Sequence, residues 1–326
     1  MSNFQDLPDE LVLIILKNIE TKDLISCGQV SQRIRKISQE DSLWVTANLE
    51  KKIVKTELIE MILSKGCKIL NISDSKIVGT LTLNTESQLR VLDFSQSTRA
   101  WPPCTKNIGV LQKLLLACRS LETLEMENLC LTPTMAINIF KNGKTLQRLN
   151  LNYSVVKKYS GSGVGVTGLP FGYLLPNTYL QEIFKWCQKL KEVDLNGGTN
   201  TGLSYDDRKF LVKNISPNIE KLNLSGSHFS NEDVNILLSR CNKIKVLSLD
   251  ASFLNNGSLT NIRQHLSFTL EELSLGSRLR RLSFNGFLEL KFMQRLKILN
   301  LYNGKEDAKK IQDLREHLPH LKINGF

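Results

Sequence analysis

Apolar residues recur along this chain in a fixed unit: two apolar positions one residue apart, preceded by a third three residues earlier. The unit stands at Leu89-Leu92-Phe94, Leu121-Leu124-Met126, Leu146-Leu149-Leu151 and Leu190-Val193-Leu195. It continues at Ile219-Leu222-Leu224, Ile244-Leu247-Leu249, Leu270-Leu273-Leu275 and Leu296-Leu299-Leu301, with a weaker first copy at Cys67-Leu70-Ile72. Strand side chains alternate, so the last two apolar residues share one face of a short strand. The residue three positions earlier fills the same interior from the incoming turn. The roughly 18 residues between strands suffice for a helix at about 1.5 Å rise per residue. Residues 230–241 predict such a helix: Ser230 as N-cap, Glu232 and Asp233 in the first turn, and Val234, Leu237, Leu238 and Cys241 on one stripe.

From Leu190 onward the unit repeats at intervals of 29, 25, 26 and 26 residues. That pattern and period form the leucine-rich-repeat signature. One repeat has nothing to cover its apolar face, whereas stacked repeats bury a continuous core. The expected fold is therefore α/β: a leucine-rich-repeat solenoid, or horseshoe, of about nine to ten repeats over residues 67–326. Two places break the period. An interval of 32 residues follows Leu89, where residues 98–106 form a proline-stiffened loop, and one of 44 follows Leu146. The second predicts an insertion at 153–186, glycine-rich and then aromatic, with Phe171, Tyr173 and Tyr179 as candidate anchors.

Before the repeats, residues 6–48 are rich in helical apolar spacing. Asp6 or the Leu7-Pro8 step opens a helix whose Asp9 and Glu10 complement the dipole, and Leu11, Ile14, Ile15 and Ile19 set an apolar face. Residues 20–23 break it, and Leu24, Cys27 and Val30 follow at helical spacing. This is more apolar surface than forty-odd residues can bury alone, so the module calls for a partner. The division expected is a helical module at 1–48, a linker helix at 49–66 and repeats at 67–326.

Seven cysteines, an odd number with no CxxC pair, predict buried thiols and no disulfide framework. Cys118, Cys187 and Cys241 each stand three residues before a repeat's first apolar anchor, which assigns them to the core. His317 and His320 lack partners at metal-ligand spacing, so neither metal nor cofactor is expected. Gly163, Gly165 and Gly168 match GxGxxG, but no strand leads directly into them and Pro170 follows, so a dinucleotide site is not expected. No run of eighteen apolar residues occurs, which predicts no membrane span, and acids around the first apolar stretch argue against a secretory signal.

The net charge of +11 would suit nucleic acid or another acidic surface. The repeat register moderates that reading. Outward positions beside the buried leucines are Asp93, Glu125, Glu127, Arg148, Glu192, Asp194, Lys221, Asp250 and Glu272, seven acidic against two basic. A predicted concave face of that kind repels nucleic acid and lacks the cation cluster that reads phosphate. It favours a basic or neutral protein target, or a phosphate reader supplied by a separate small subunit. Basic residues gather instead on predicted convex segments and in the last third: Arg278, Arg280, Arg281, Lys291, Arg295, Lys309, Lys310 and Arg315.

Leu7-Pro8-Asp9-Glu10-Leu11, Ile15-Leu16, Asp23-Leu24, Val30 and Ser42-Leu43-Trp44 resemble the F-box in order and spacing. The cysteine register resembles that of the repeats commonly attached to F-boxes. Residues 217–225, 240–244 and 314–324 are similar to the S-phase kinase-associated subfamily. The resemblance implies a non-catalytic receptor of an SCF-type ubiquitin ligase, in nucleus or cytoplasm, acting on cell-cycle regulators. It implies that Leu7, Pro8, Glu10, Leu11, Ile15, Leu24, Val30 and Trp44 lie at or near the interface with the small adaptor, which bridges to cullin. The alternative is a repeat scaffold or inhibitor working outside any ligase.

Overall fold

The computed structural model describes residues 6–83, 86–96, 107–131, 140, 143–156, 177–196, 203, 205–250, 252–276, 282–302 and 308–325. The glycine triplet, Phe171, Tyr173, the 98–106 loop and Arg278, Arg280 and Arg281 lie outside them. The chain divides into two compact units, residues 1–98 with 105–125, and residues 99–104 with 126–326.

The first unit opens with three short helices, α1 (Asp9–Leu16), α2 (Thr21–Cys27) and α3 (Gln32–Ser38). Pro8 sits at the N-cap of α1, where a missing N–H costs nothing, and its carbonyl accepts from Leu11 and Val12 N–H at 3.1 Å each. Ser31 caps α3 by accepting from Ile34 N–H at 3.1 Å. The core of this module is Val12, Leu16, Leu24, Ile34, Ile37, Leu43 and Trp44. The apolar face of α1 differs from the expected one. Val12 and Leu16 are covered, while Leu11, Ile14 and Ile15 are exposed and Ile19 is half-covered. A helix apolar on every side has no single stripe, so the packing of α3 decides which side is inward.

Four parallel strands then stack in register: β1 (Thr46–Asn48), β3 (Ile69–Asn71), β5 (Val91–Asp93) and β6 (Thr123–Glu125). Between them come β2 (Ile53–Lys55) and β4 (Lys76–Val78), which pair with each other, and the helices α4 (Thr56–Ser64) and α5 (Ile108–Ala117). The stretch 49–66, expected as a linker helix, thus holds a strand before its helix. The ladder also begins one strand earlier than the leucine pattern indicates. Ala47 and Leu49 point inward, 1% and 3% exposed, but alanine hides the LxL signal. Asn48 N–H donates to Thr21 Oγ1 at 3.0 Å, which ties α2 to this first strand.

The second unit repeats the plan. Its ladder is β8 (Arg148–Asn150), β10 (Glu192–Asp194), β11 (Lys221–Asn223), β12 (Val246–Ser248), β13 (Glu272–Gly276), β14 (Ile298–Tyr302) and β15 (Lys322–Gly325), all parallel. A small pair, β7 (Cys130–Leu131) with β9 (Val155–Val156), accompanies it. Helices between strands include Asn231–Arg240, whose Ser230 and Asp233 form a full capping box, and Asn256–Leu266, capped likewise by Asn255 and Ser258. Leu222, Leu247, Leu273 and Leu299 stack abreast inside, each 1% exposed or less. Each such side chain contributes roughly 1.5–3 kcal/mol relative to exposure. Cys118, Cys187 and Cys241 are buried and free, and burial pushes their thiols up to about 12, 12 and 11 respectively. They are packing residues.

Candidate functional site

Two surfaces carry the residues singled out in the sequence. The first belongs to the helical module. Pro8, Glu10, Leu11, Ile15 and Val30 are exposed and Leu7 is half-exposed. Val30 shows 76% of its surface, and Ile14, which the sequence placed on the apolar face of α1, shows 55%. Arg33 fastens α3 to the start of α1: its Nε donates to Asp9 Oδ1 at 2.8 Å, and the guanidinium also reaches Leu7 O. The exposed residues are therefore presented on a fixed frame.

Leu24 and Trp44 do not belong to that surface. Each is 3% exposed, and the Trp44 indole N–H donates to Ser38 O at 2.8 Å. They support the exposed residues from beneath, because helix spacing reports the apolar character of a position and not its direction. Beside them Leu16, Ile19, Thr21, Leu24, Leu43 and Val45 line a hollow of about 380 Å³.

The second surface is the outward face of the strands. In the second unit Arg148, Glu192, Lys221, Val246, Glu272, Ile298 and Lys322 stand in one row across the ladder. Glu192 pairs with both neighbours, Arg148 at 3.4 Å and Lys221 at 2.9 Å. These three, with Asn150, Asp194, Asn223 and Val246, line a hollow of about 220 Å³.

Residues at the entrance to each strand add a second set of charges. Glu220 pairs with Lys245 at 2.6 Å and Glu271 with Lys297 at 2.9 Å. Both glutamates are held below the usual carboxylate range by those ammonium groups. The predicted acidic face is thus an alternating one. Leucine spacing identified the outward positions between buried residues but left out Glu220, Lys245, Glu271 and Lys297, whose backbone N–H groups join the same ladder.

Several predicted contact acids also have structural work. Asp93 Oδ1 accepts from Ser95 N–H at 3.0 Å and Asp194 Oδ1 from Asn196 N–H at 2.9 Å. Asn71, Asn150 and Asn223 make the same turn two residues onward. Asp194 also accepts from Asn223 Nδ2 at 3.0 Å, and its carboxyl is raised by burial, opposed by these bonds. Glu272 accepts from Asn300 at 2.7 Å and Glu127 from Asn152 at 3.3 Å, while Glu125 lies half-buried on β6. Asp250 is pushed up to about 6 by burial, which outweighs a bond with the Ser225 hydroxyl.

Arg315, counted among the convex cations, donates to Ile323 O from Nε and Nη2 at 3.2 and 3.0 Å, closing off the β15 strand. His317 Nδ1–H donates to Asp313 O at 2.7 Å, and its ring meets Phe284 edge-on. Among the described residues no group of three His, Cys, Asp or Glu is arranged to hold a metal ion. No described helix is long and apolar enough to cross a membrane.

Residues 4–50 match the F-box-like family. Among solved structures, the chain is similar to the leucine-rich repeat-containing protein LegL7 from Legionella pneumophila, with a TM-score of 0.43 and 13% identity over 84% of this chain and 89% of that one. It is similar also to TLR13 in its complex with ssRNA13, with a TM-score of 0.44 and 16% identity over 86% of this chain. The match spans 38% of the TLR13 chain. An F-box-like domain stands at the N-terminus, and the parallel ladders with intervening helices are of the leucine-rich-repeat kind.

Proposed function

We propose that this chain is the substrate-recognition subunit of an SCF-type ubiquitin ligase, its F-box-like domain docked on the adaptor and its repeats holding the target. The observation that carries the reading is the exposed apolar set Leu11, Ile14, Ile15 and Val30, set out on a module that matches the F-box-like family. Solvent-exposed aliphatic residues gathered on one small module mark a protein interface. F-box domains generally bind the Skp1 adaptor, which supplies the occupant and, through it, cullin. The receptor performs no chemistry. Holding the target beside the ubiquitin-loaded enzyme raises the effective concentration of its lysines.

The alternating strand face supports a protein target with complementary alternation. Arg148, Lys221, Lys245 and Lys297 on it are already paired with carboxylates, so a phosphate on the target calls for a small accessory subunit to read it. The resemblance to the S-phase kinase-associated subfamily suggests cell-cycle regulators as targets, and nucleus or cytoplasm as the place of action.

The test is co-purification of adaptor and cullin with the full chain from cells. Wild type is expected to retain both, and Leu11→Glu with Val30→Glu to lose them at least tenfold, about 1.4 kcal/mol or more, with an unchanged thermal midpoint. A wild-type chain that retains no adaptor overturns the proposal and leaves a repeat scaffold capped by its helical module.

A further inference from the structure

Beside the strand-entrance pair Glu271 and Lys297, two adjacent repeats of the second unit leave phenylalanines in solvent. Phe268, just after the helix Asn256–Leu266, is 66% exposed, and Phe292, closing the 3-10 turn Glu289–Phe292, is 53% exposed. The two segments are joined by Gln294 N–H donating to Ser267 O at 3.1 Å. Two cations stand against the Phe292 ring. The Arg263 guanidinium lies 5.5 Å from the Phe292 centroid and the Lys291 ammonium 4.8 Å, and Arg295 is exposed on the same segment.

The acids nearby are already engaged, Glu289 with Arg263 at 3.1 Å and Glu271 with Lys297 at 2.9 Å. Lys291 and Arg295 form no salt bridge among the described residues. The patch therefore offers two apolar rings together with surplus positive charge, where a solvated helix end ordinarily offers neither.

We propose that this patch docks an acidic peptide segment of a partner protein, its carboxylates on Lys291 and Arg295 and an aliphatic or aromatic side chain against Phe268 and Phe292. Charge complementarity chooses the sign of the partner, and the rings require an apolar side chain within it. A nucleic-acid site needs a basic stripe, and the helix beside the patch shows neutral residues, Thr260 and Gln264, on its exposed side. The same neutrality disfavours a lipid surface, which selects a Lys/Arg-rich helix face. This surface is independent of the ligase reading and stands or falls apart from it.

The experiment is fluorescence anisotropy on the full chain with a labelled peptide of alternating Glu and Leu, beside a matched peptide with Gln for Glu. The acidic peptide is expected to bind at least about tenfold more tightly, with affinity falling as salt rises. Phe268→Ser with Phe292→Ser, and separately Lys291→Glu with Arg295→Glu, are each expected to weaken it about tenfold without shifting the thermal midpoint. Absence of binding overturns the proposal, as does a phenylalanine variant that binds like wild type, since charge alone then suffices. Tighter, Phe268- and Phe292-dependent binding to phosphatidylserine vesicles or to oligo(dT) assigns the patch to a membrane or a nucleic acid and overturns it equally.

Discussion

In α1 every side is apolar, yet only Val12 and Leu16 are covered; in the helix Asn231–Arg240, Val234, Leu237 and Leu238 are covered and the remaining positions are largely polar or charged. Among the described residues, five of the twelve large exposed hydrophobics, Leu11, Ile14, Ile15, Val30 and Val45, fall within the first 45 positions. The repeat helix satisfies its apolar stripe against neighbouring repeats. The N-terminal helix has more apolar surface than its own module can cover, and that excess is what a partner would bury. Similar residue types are thus covered in one region and exposed in the other, and the direction in which each points separates the two.

That contrast predicts unequal costs for the same change. Leu237→Ala is expected to lose roughly 2–5 kcal/mol, because a fully covered side chain leaves a cavity, whereas Leu11→Ala, 46% exposed, should stay within about 0.5 kcal/mol. Urea unfolding monitored by circular dichroism measures both. Equal losses would erase the distinction between a core helix and a docking helix.

Next in size is a pH effect in the repeats. Asp250 has its carboxyl raised from 3.8 to about 6 by burial, and its Oδ1 is buried without a hydrogen-bond partner among the described residues. Between those values the folded chain holds a proton that the unfolded chain has released. Stability therefore falls as pH rises from about 4 to about 6, and the loss is complete above that window. Asp250→Asn should flatten this slope and raise the thermal midpoint at pH 7, seen in thermal scans across pH 4–8. An unchanged slope would show that the carboxyl titrates normally.

Helix caps sharpen the comparison further. Ser230→Ala removes half of a capping box and Ser31→Ala removes the cap of α3, and each should cost about 1 kcal/mol. If docking on a partner stabilises the helical module, the Ser31→Ala loss shrinks when adaptor is added, while the Ser230→Ala loss does not. The smallest effect belongs to the strand face. Glu192→Gln breaks pairs with Arg148 and Lys221, both about half-exposed, so the loss should be roughly 0.2–1 kcal/mol and fade in 1 M salt, where the screening length is about 3 Å.

Much of the architecture can be read directly from the chain. The LxxLxL spacing names the buried strand positions, and Cys118, Cys187 and Cys241 are core as their register implies. LPDEL marks the F-box-like module, and Ser230 with its acids forms the cap expected of it. The departures from the sequence reading have separate causes. The strand Thr46–Asn48 carries Ala47 where a leucine would announce it. Leu24 and Trp44, expected at or near the adaptor interface, are buried beneath the exposed set, since motif membership says nothing about which way a side chain turns. The acidic face arose from counting charges position by position within each repeat.

Alternation and spacing are local properties, carried by residues within a few positions of one another, and so the primary structure alone settles the repeat plan, the inward leucines and the identity of the N-terminal module. Charge pairing and helix orientation depend on neighbours brought close by stacking. Glu192 meets Lys221 across 29 positions, and Glu220 meets Lys245 across 25, only because parallel strands align them. On a helix apolar on every side, no periodicity can select the covered face; the packing of α3 against α1 did, and it left Leu11, Ile14 and Ile15 exposed.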